Sequence, residues 1–117
     1  MKSDIERLIK IKKYCVQLAN FTDNIQFKNF VTDEKTNYAC VFALTQIGEL
    51  ANKLSDALKE NSIVPWHAII AVRNRIVHGY DGLNMKVIWD AIDQEVPLLI
   101  TQIDEILTGL ADKEVKK

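Results

Sequence analysis

The stretch that decides the fold is residues 65–80, P-W-H-A-I-I-A-V-R-N-R-I-V-H-G-Y. Its apolar residues recur at roughly helical spacing, which predicts a helix. Pro65 suits the first turn of that helix, where its missing N–H costs nothing. Gly79 is a natural stop signal. We therefore expect His78 at the C-terminal end of the helix and Arg73 more than one turn earlier.

The same stretch is locally cationic and is therefore expected to attract anions. Residues 61–80 contain no Asp or Glu but carry Arg73, Arg75 and two histidines. Arginine neutralises a phosphate with paired donors, and histidine moves a proton near neutral pH. On an ideal helix Arg73 and His78 point about 140° apart. Either Arg73 uses its long stem, or the helix end opens, or groups from another chain complete the site.

A purely structural interpretation of these residues stays open. Cationic side chains in the last turn of a helix interact favourably with the helix dipole. Arg-x-x-x-x-His also occurs by chance in many chains. From composition and spacing alone, Arg73 and His78 are consistent with either a helix end or an active site.

Composition bounds the class of protein. The chain has 117 residues, 48% of them hydrophobic, which predicts one domain with one core. Fifteen basic and sixteen acidic residues give a net charge of −1, which argues against a dedicated nonspecific nucleic-acid binder. Cys15 and Cys40 lack metal-ligand spacing, and no run is apolar for long enough to span a membrane. These features predict a soluble cytoplasmic protein with free thiols.

Helical periodicity extends over the whole chain. A capping box at Ser3 and Glu6 predicts a first helix over about 4–20. Its Lys10, Lys12 and Lys13 are interpreted as a solvated face. A short helix that starts at Asp23 should pack Ile25, Phe27 and Phe30 on the core. The second long helix should begin at Thr32 or Asp33.

The second long helix contains two residues that are unusual for the middle of a helix or that have two possible roles, Gly48 and Glu49. Gly48 costs roughly 1 kcal/mol in a helix interior, so we expect it to mark close helix packing. Glu49 is either a surface carboxylate or a partner that orients Arg73 or Arg75.

The last helix should start after Asn84, a plausible N-cap, and kink or break at Pro97. Its apolar pattern ends near residue 110, so 111–117 is expected to be a disordered tail after a single domain over 1–110. No segment alternates like a strand. The prediction is all-α, an up-and-down bundle of four main helices with one short extra helix.

The fifteen residues from Trp66 to Tyr80 resemble the signature of the HEPN superfamily, in its HepT-like branch. That pattern is Arg73, a polar residue (here Asn74), three residues, His78, one residue and Tyr80. The preceding Pro65–Trp66, Gly48–Glu49 and Trp89 also fit this branch, and the resemblance covers roughly residues 1 to 110.

The resemblance implies a ribonuclease that is the toxin of a type VII-like toxin–antitoxin pair. It implies a homodimer whose motif helices meet, without cofactor or metal, so that Arg73, Asn74 and His78 cut RNA, with Arg75 and Glu49 as possible support. It also implies an antitoxin, an MntA-like minimal nucleotidyltransferase, that silences the toxin by transferring AMP to Tyr80. On sequence alone, Tyr80 could equally pack the helix end.

The alternative is a non-catalytic interaction module. HEPN relatives include nucleotide-binding and assembly partners, so the helix over 65–80 could merely dock a nucleotidyltransferase or bind a nucleotide. The intact set of Arg73, Asn74, His78 and Tyr80 favours the nuclease. The sequence contains no Gly-rich phosphate loop, zinc-spaced Cys/His cluster or Gly-x-Ser-x-Gly elbow, so an enzyme would depend on this set.

Overall fold

A computed structural model describes residues 2–79 and 84–115. All regular secondary structure in this part of the chain is helical, with short connecting turns and no strand, which confirms the all-α prediction. The elements are α1 Lys2–Phe21, α2 Phe27–Thr32, α3 Glu34–Asn52, α4 Asp56–Glu60, α5 Trp66–Gly79, α6 Met85–Asp90, a π-helical segment Ala91–Glu95 and α7 Val96–Val115. The last three elements follow one another without interruption and form the fourth long segment of the bundle.

Helix α3 lies in the middle of the bundle and packs on both α1 and α5. Helix α1 also packs on α7, and the short α2 lies against α3 and α6. The core between them is apolar, and its largest fully buried side chains are Trp66, Phe30, Leu8, Ile11, Leu18, Ile88 and Ile103. Burial of such side chains removes apolar surface from water and is the main stabilising term of the fold. Cys15 and Cys40 are free and buried, and burial raises the pKa of Cys15 to about 12 and that of Cys40 to about 11.

The helix start signals at Asp33 and Asn84 are confirmed. The Asp33 side chain accepts a hydrogen bond from the Thr36 backbone N–H at 3.3 Å. The Asn84 Oδ1 accepts one from the Lys86 N–H at 2.9 Å. Both side chains satisfy backbone donors that have no partner inside their own helix.

Two other start signals are wrong. Helix α1 already includes Lys2 and Ser3, so Ser3 is not an N-cap. Helix α2 begins at Phe27, not at Asp23, because residues 22–24 form a turn in which Asn24 has a φ of 60°. That turn brings Phe27 and Phe30 within ring-contact distance of Trp89 on α6. Phe30 is buried and Ile25 and Phe27 are partly buried against the core, as expected for this segment.

A carboxylate on α1 organises the start of α4, a second short helix that the sequence did not predict. Asp4 is buried and accepts hydrogen bonds from the Ser55 backbone N–H at 2.9 Å and from its Oγ at 2.6 Å. Ser55 in turn caps α4 by accepting from the Leu58 N–H at 3.2 Å. Burial alone would raise the pKa of Asp4, but the two hydrogen bonds from Ser55, together with nearby positive charge that includes Arg7, outweigh burial and hold that pKa below its usual range.

The chain accommodates Pro97 with a π-helical turn. Proline lacks an N–H, and its ring collides with the carbonyl four residues earlier in a regular α-helix. Here the Val96 N–H bonds to the Ala91 carbonyl, five residues back, which widens the turn before Pro97. Helix α7 then continues to Val115, so the backbone of 111–115 is helical although this segment was expected to be disordered.

Candidate active site

Helices α3 and α5 approach closely at Gly48, and this approach fixes the position of Arg73. Gly48 is buried on α3, and a Cβ atom built there would lie 2.7 Å from the Cγ of Arg73 and closer still to its Cβ. Real Cβ atoms essentially never come that close to another heavy atom. The absence of a side chain at Gly48 therefore lets the stem of Arg73 cross α3, which confirms close helix packing at this glycine.

The head of Arg73 is held from two sides. Its Nη2 donates to the Glu49 carboxylate in an ion pair, and its Nη1 donates to Asn74 Oδ1 at 2.7 Å. The side chains of Arg73 and Glu49 are 26% and 36% exposed, so the pair lies at the surface over a half-buried stem. The Nε of Arg73 is buried without a partner among the described residues. Glu49 is thus a contact of Arg73, one of the two possibilities that the sequence left open.

His78 lies on the exposed side of the last turn of α5. It follows Asn74 by four residues, so the two side chains share one helix face. By turning its head to Asn74, Arg73 reaches this face with its long stem. No hydrogen bond joins His78 to Arg73 or Asn74 in the described part of the chain. The structure therefore brings Glu49, Arg73 and Asn74 into contact and leaves His78 one turn away.

A cavity of about 430 Å³ opens on the other side of His78, towards α6. Arg75 and His78 line it together with Asn84 and Val87. The sequence suggested only a capping role for Asn84, because nothing in a helix start signal reveals which residues from another helix lie opposite. Arg75 does not contact Glu49, which is bound to Arg73.

Tyr80, the expected acceptor of AMP, lies outside the described residues, as do residues 81–83. Within the described part, no group of three or more His, Cys, Asp or Glu side chains has the arrangement of a metal site. Among the same residues, no helix has both the length and the hydropathy needed to cross a bilayer.

Comparison with known proteins agrees with the motif. Residues 11–106 match the family described as ribonuclease HepT-like. A protein of Caldanaerobacter subterraneus subsp. tengcongensis, named "Putative RNase TTE0752", is 36% identical over 108 residues, which are 92% of this chain and 96% of the relative. "Putative RNase MJ0127" of Methanocaldococcus jannaschii is 30% identical over 97% of this chain and 95% of its own.

A third relative carries the family's name. It is the "Probable ribonuclease HepT" of Thermococcus cleftensis, 28% identical over 76% of this chain and 82% of the relative. No solved structure matches the chain significantly. The matched family model covers residues 11–106 and so includes Glu49, Arg73, Asn74 and His78. This chain belongs to the HepT-like ribonuclease family of the HEPN superfamily.

Proposed function

We propose that this protein is a metal-independent endoribonuclease and the toxin of a type VII-like toxin–antitoxin pair. The observation that carries the proposal is the arrangement around Arg73: its guanidinium is oriented by Glu49 and Asn74 at the surface, one helical turn from the exposed His78. This set offers a fixed cation for a phosphate and a group that transfers protons. Membership of the HepT-like family and the RNase names of the relatives support it.

The chemistry that these groups support is transesterification at a phosphodiester bond of RNA, with the neighbouring ribose 2′-oxygen as the nucleophile. A ribose 2′-oxygen loses its proton to a base and forms a bond to the adjacent phosphorus. The bond from phosphorus to the 5′-oxygen breaks, and that oxygen takes a proton from an acid, which leaves a 2′,3′-cyclic phosphate and a 5′-hydroxyl. His78 is the proposed base or acid, Arg73 stabilises the charge on the pentacovalent phosphorus, and Asn74 orients Arg73.

The mechanism needs both a base and an acid, which supports a homodimer. One protomer offers His78 near Arg73, and His67 lies 11 residues, about 16 Å, further back along α5. A second copy of α5 would supply the second His78. Residues 70, 74 and 77 share a face, on which Val77 is 49% exposed and Ile70 is half-buried, so apolar surface flanks Asn74. Ile76, on the same helix, is buried in the core and does not contribute to this face.

Regulation by AMP transfer completes the proposal. An MntA-like nucleotidyltransferase would transfer AMP from ATP to the Tyr80 hydroxyl, two residues after His78, in the cytoplasm. The tyrosine oxygen bonds to the α-phosphorus and loses its proton, and pyrophosphate leaves. The added phosphate would compete with RNA for Arg73 and so silence the toxin. The support for this part is the resemblance of the motif that contains Tyr80.

Cleavage of RNA in EDTA tests the nuclease. We expect His78→Ala to reduce cleavage by about 10²- to 10⁴-fold and Arg73→Ala by about 10²- to 10³-fold. His67→Ala is the matched control, because His67 is an exposed histidine on the same helix and should cut RNA normally. If wild type requires added magnesium, or if His78→Ala cuts like wild type, the mechanism is wrong. A wild type that cuts no RNA would favour a docking module.

Mixed dimers of wild type and His78→Ala test the shared site. If one cleft uses a base and an acid from two copies of His78, a dimer with a single intact His78 should cut RNA as weakly as His78→Ala alone. Half of the wild-type rate in dimers shown to be mixed would mean that each protomer cuts by itself and would contradict the shared cleft, as would a monomeric mass by light scattering at micromolar concentration.

A further inference from the structure

A pair of aromatic rings, one exposed and one partly buried, lies on the bundle outside the set around Arg73. Phe42 on α3 is 59% exposed, and its ring meets that of Tyr14 on α1 edge to face, with centroids 6.5 Å apart and an interplanar angle of 72°. Phe42 adds little to the core, since more than half of its surface stays in water. Such a ring has a free face available to a ligand.

The pair lies in line with the proposed active site. Phe42 and Glu49 are seven residues apart on α3, so their side chains leave the helix within about 20° of each other and about 10 Å apart along its axis. Glu49 holds the head of Arg73. The aromatic pair and the guanidinium therefore share one surface of the bundle.

Cations flank the rings on this surface. Lys10 precedes Tyr14 by one turn of α1, and Lys35 precedes Phe42 by two turns of α3. Both lysines are exposed, and neither forms a salt bridge with a described residue. By contrast, Lys12 is bound to Asp104 at 2.7 Å. The solvated face expected for α1 thus includes an exposed lysine one helical turn from the partly buried ring of Tyr14.

We infer that Tyr14 and Phe42 form a platform on which bases of single-stranded RNA stack while a phosphate of the same strand lies at Arg73. This inference rests on the proposed function and assigns its substrate class. Aromatic rings interleaved with cations are the usual surface for single strands, because every base has a face that can stack. Bases in an RNA duplex are paired and stacked on each other, so the platform selects unpaired RNA.

A protein partner fits this surface less well. A stable interface buries about 800 Å² on each partner, whereas this patch offers two rings between lysines. Polar Thr45 and Gln46 follow Phe42 on the same helix, towards Glu49. A patch that is small, flanked by two exposed lysines and in line with the head of Arg73 on Glu49 is complementary to a nucleic-acid strand.

The test measures RNA binding separately from cleavage. Fluorescence anisotropy of a labelled single-stranded RNA of about ten nucleotides is recorded in a His78→Ala background, which keeps the RNA intact. We expect Phe42→Leu, which keeps apolar bulk but removes the ring, to raise Kd by about fivefold to a hundredfold. Phe42→Trp should bind like the parent protein. Ile63→Ala is the control for loss of an exposed apolar side chain, because Ile63 is 79% exposed.

Two further probes isolate stacking and charge. An RNA with abasic sites opposite the platform should bind the parent weakly and be insensitive to Phe42→Leu. Lys10→Gln should reduce the slope of log Kd against log salt by about one. Duplex RNA of the same length should compete poorly.

The outcomes separate this inference from the proposed function. Unchanged Kd for Phe42→Leu overturns the platform, even if wild type cuts RNA. A shift of Phe42→Leu to monomers, measured by light scattering, also overturns it, because the ring would then belong to an interface between copies. Base-dependent binding through Phe42 in a protein that cuts no RNA would keep the platform and refute the nuclease.

Discussion

Gly48 and Arg73 occupy complementary space: the stem of Arg73 fills the volume that a side chain at position 48 would need. The contact joins α3 to α5 at the residue that carries the proposed phosphate-binding cation. Because Glu49 follows Gly48 directly, the same turn of α3 that admits the arginine stem also binds its head. Helix packing and orientation of Arg73 are thus coupled at one point.

Gly48→Ala should damage both stability and activity. The added methyl group collides with the Cβ and Cγ of Arg73, and overpacking typically costs about 1–3 kcal/mol. The better helix propensity of alanine offsets about 1 kcal/mol of that cost. We expect a lower midpoint in urea denaturation and loss of most RNA cleavage.

Gly109→Ala is the matched control, because nothing lies within 4 Å of a Cβ built at that helical glycine. It should be neutral or stabilising by up to about 1 kcal/mol and should cut RNA normally. Equal stability of the two variants would show that α3 and α5 can move apart at little cost.

Glu49→Gln should reveal a positioning residue. The amide keeps an acceptor for Arg73 but removes the charge, so the guanidinium is held less firmly. We expect kcat to fall about tenfold while KM does not rise, because the loss of a negative charge favours RNA binding. The free energy of unfolding should change by less than about 1 kcal/mol, as for other exposed ion pairs.

A second variant, Glu49→Asp, distinguishes whether Glu49 acts by orienting Arg73 or only by its negative charge. Glu49→Asp keeps the carboxylate on a shorter stem and should recover part of kcat. A rise in KM with unchanged kcat for Glu49→Gln would place Glu49 in RNA binding instead.

Tyr80→Phe should escape the antitoxin. The variant lacks the hydroxyl that accepts AMP but keeps the ring, so RNA cleavage should stay close to that of wild type. Intact-mass spectrometry after incubation with ATP and the cognate nucleotidyltransferase should show added AMP on wild type and none on Tyr80→Phe. Tyr38→Phe is the control, since Tyr38 is 53% exposed on α3, and should be labelled like wild type. Equal labelling of Tyr80→Phe would reassign the acceptor.

Asp4→Asn should make the free energy of unfolding less dependent on pH in the acidic range. The folded state lowers the pKa of Asp4, so this carboxylate contributes stability above its unfolded pKa of about 3.9. That contribution is lost as the pH falls through the lower folded pKa. We expect Asp4→Asn to cost about 1–3 kcal/mol near neutral pH, as for hydrogen bonds to charged groups, and the difference from wild type to shrink below about pH 4.

Urea denaturation at about pH 3 and about pH 7 measures this difference. Asp56→Asn provides the charge-matched control, because the Asp56 side chain is 90% exposed. A cost for Asp4→Asn that is the same at both pH values would contradict a contribution from the charged form.

Local signals were reliable where the partner of a group lies a few residues away. Asp33 and Asn84 cap their helices because each side chain bonds an N–H two or three residues on. Ser3 failed as a cap because α1 already includes Lys2 and Ser3. The neighbouring carboxylate of Asp4 instead bonds to Ser55, 51 residues away. A pattern over four residues carries no information about such a partner.

The sequence by itself determined the helical class, the family motif and the placement of Arg73, Asn74 and His78 on one helix. Helical periodicity and short-range spacing suffice for these, since both act within a few turns. Only the tertiary structure decided that Glu49 binds Arg73 and that Ile76 is core. It alone placed the exposed ring of Phe42 against Tyr14, in line with the site. These depend on how α1, α3 and α5 pack, a global balance of burial that no local pattern specifies.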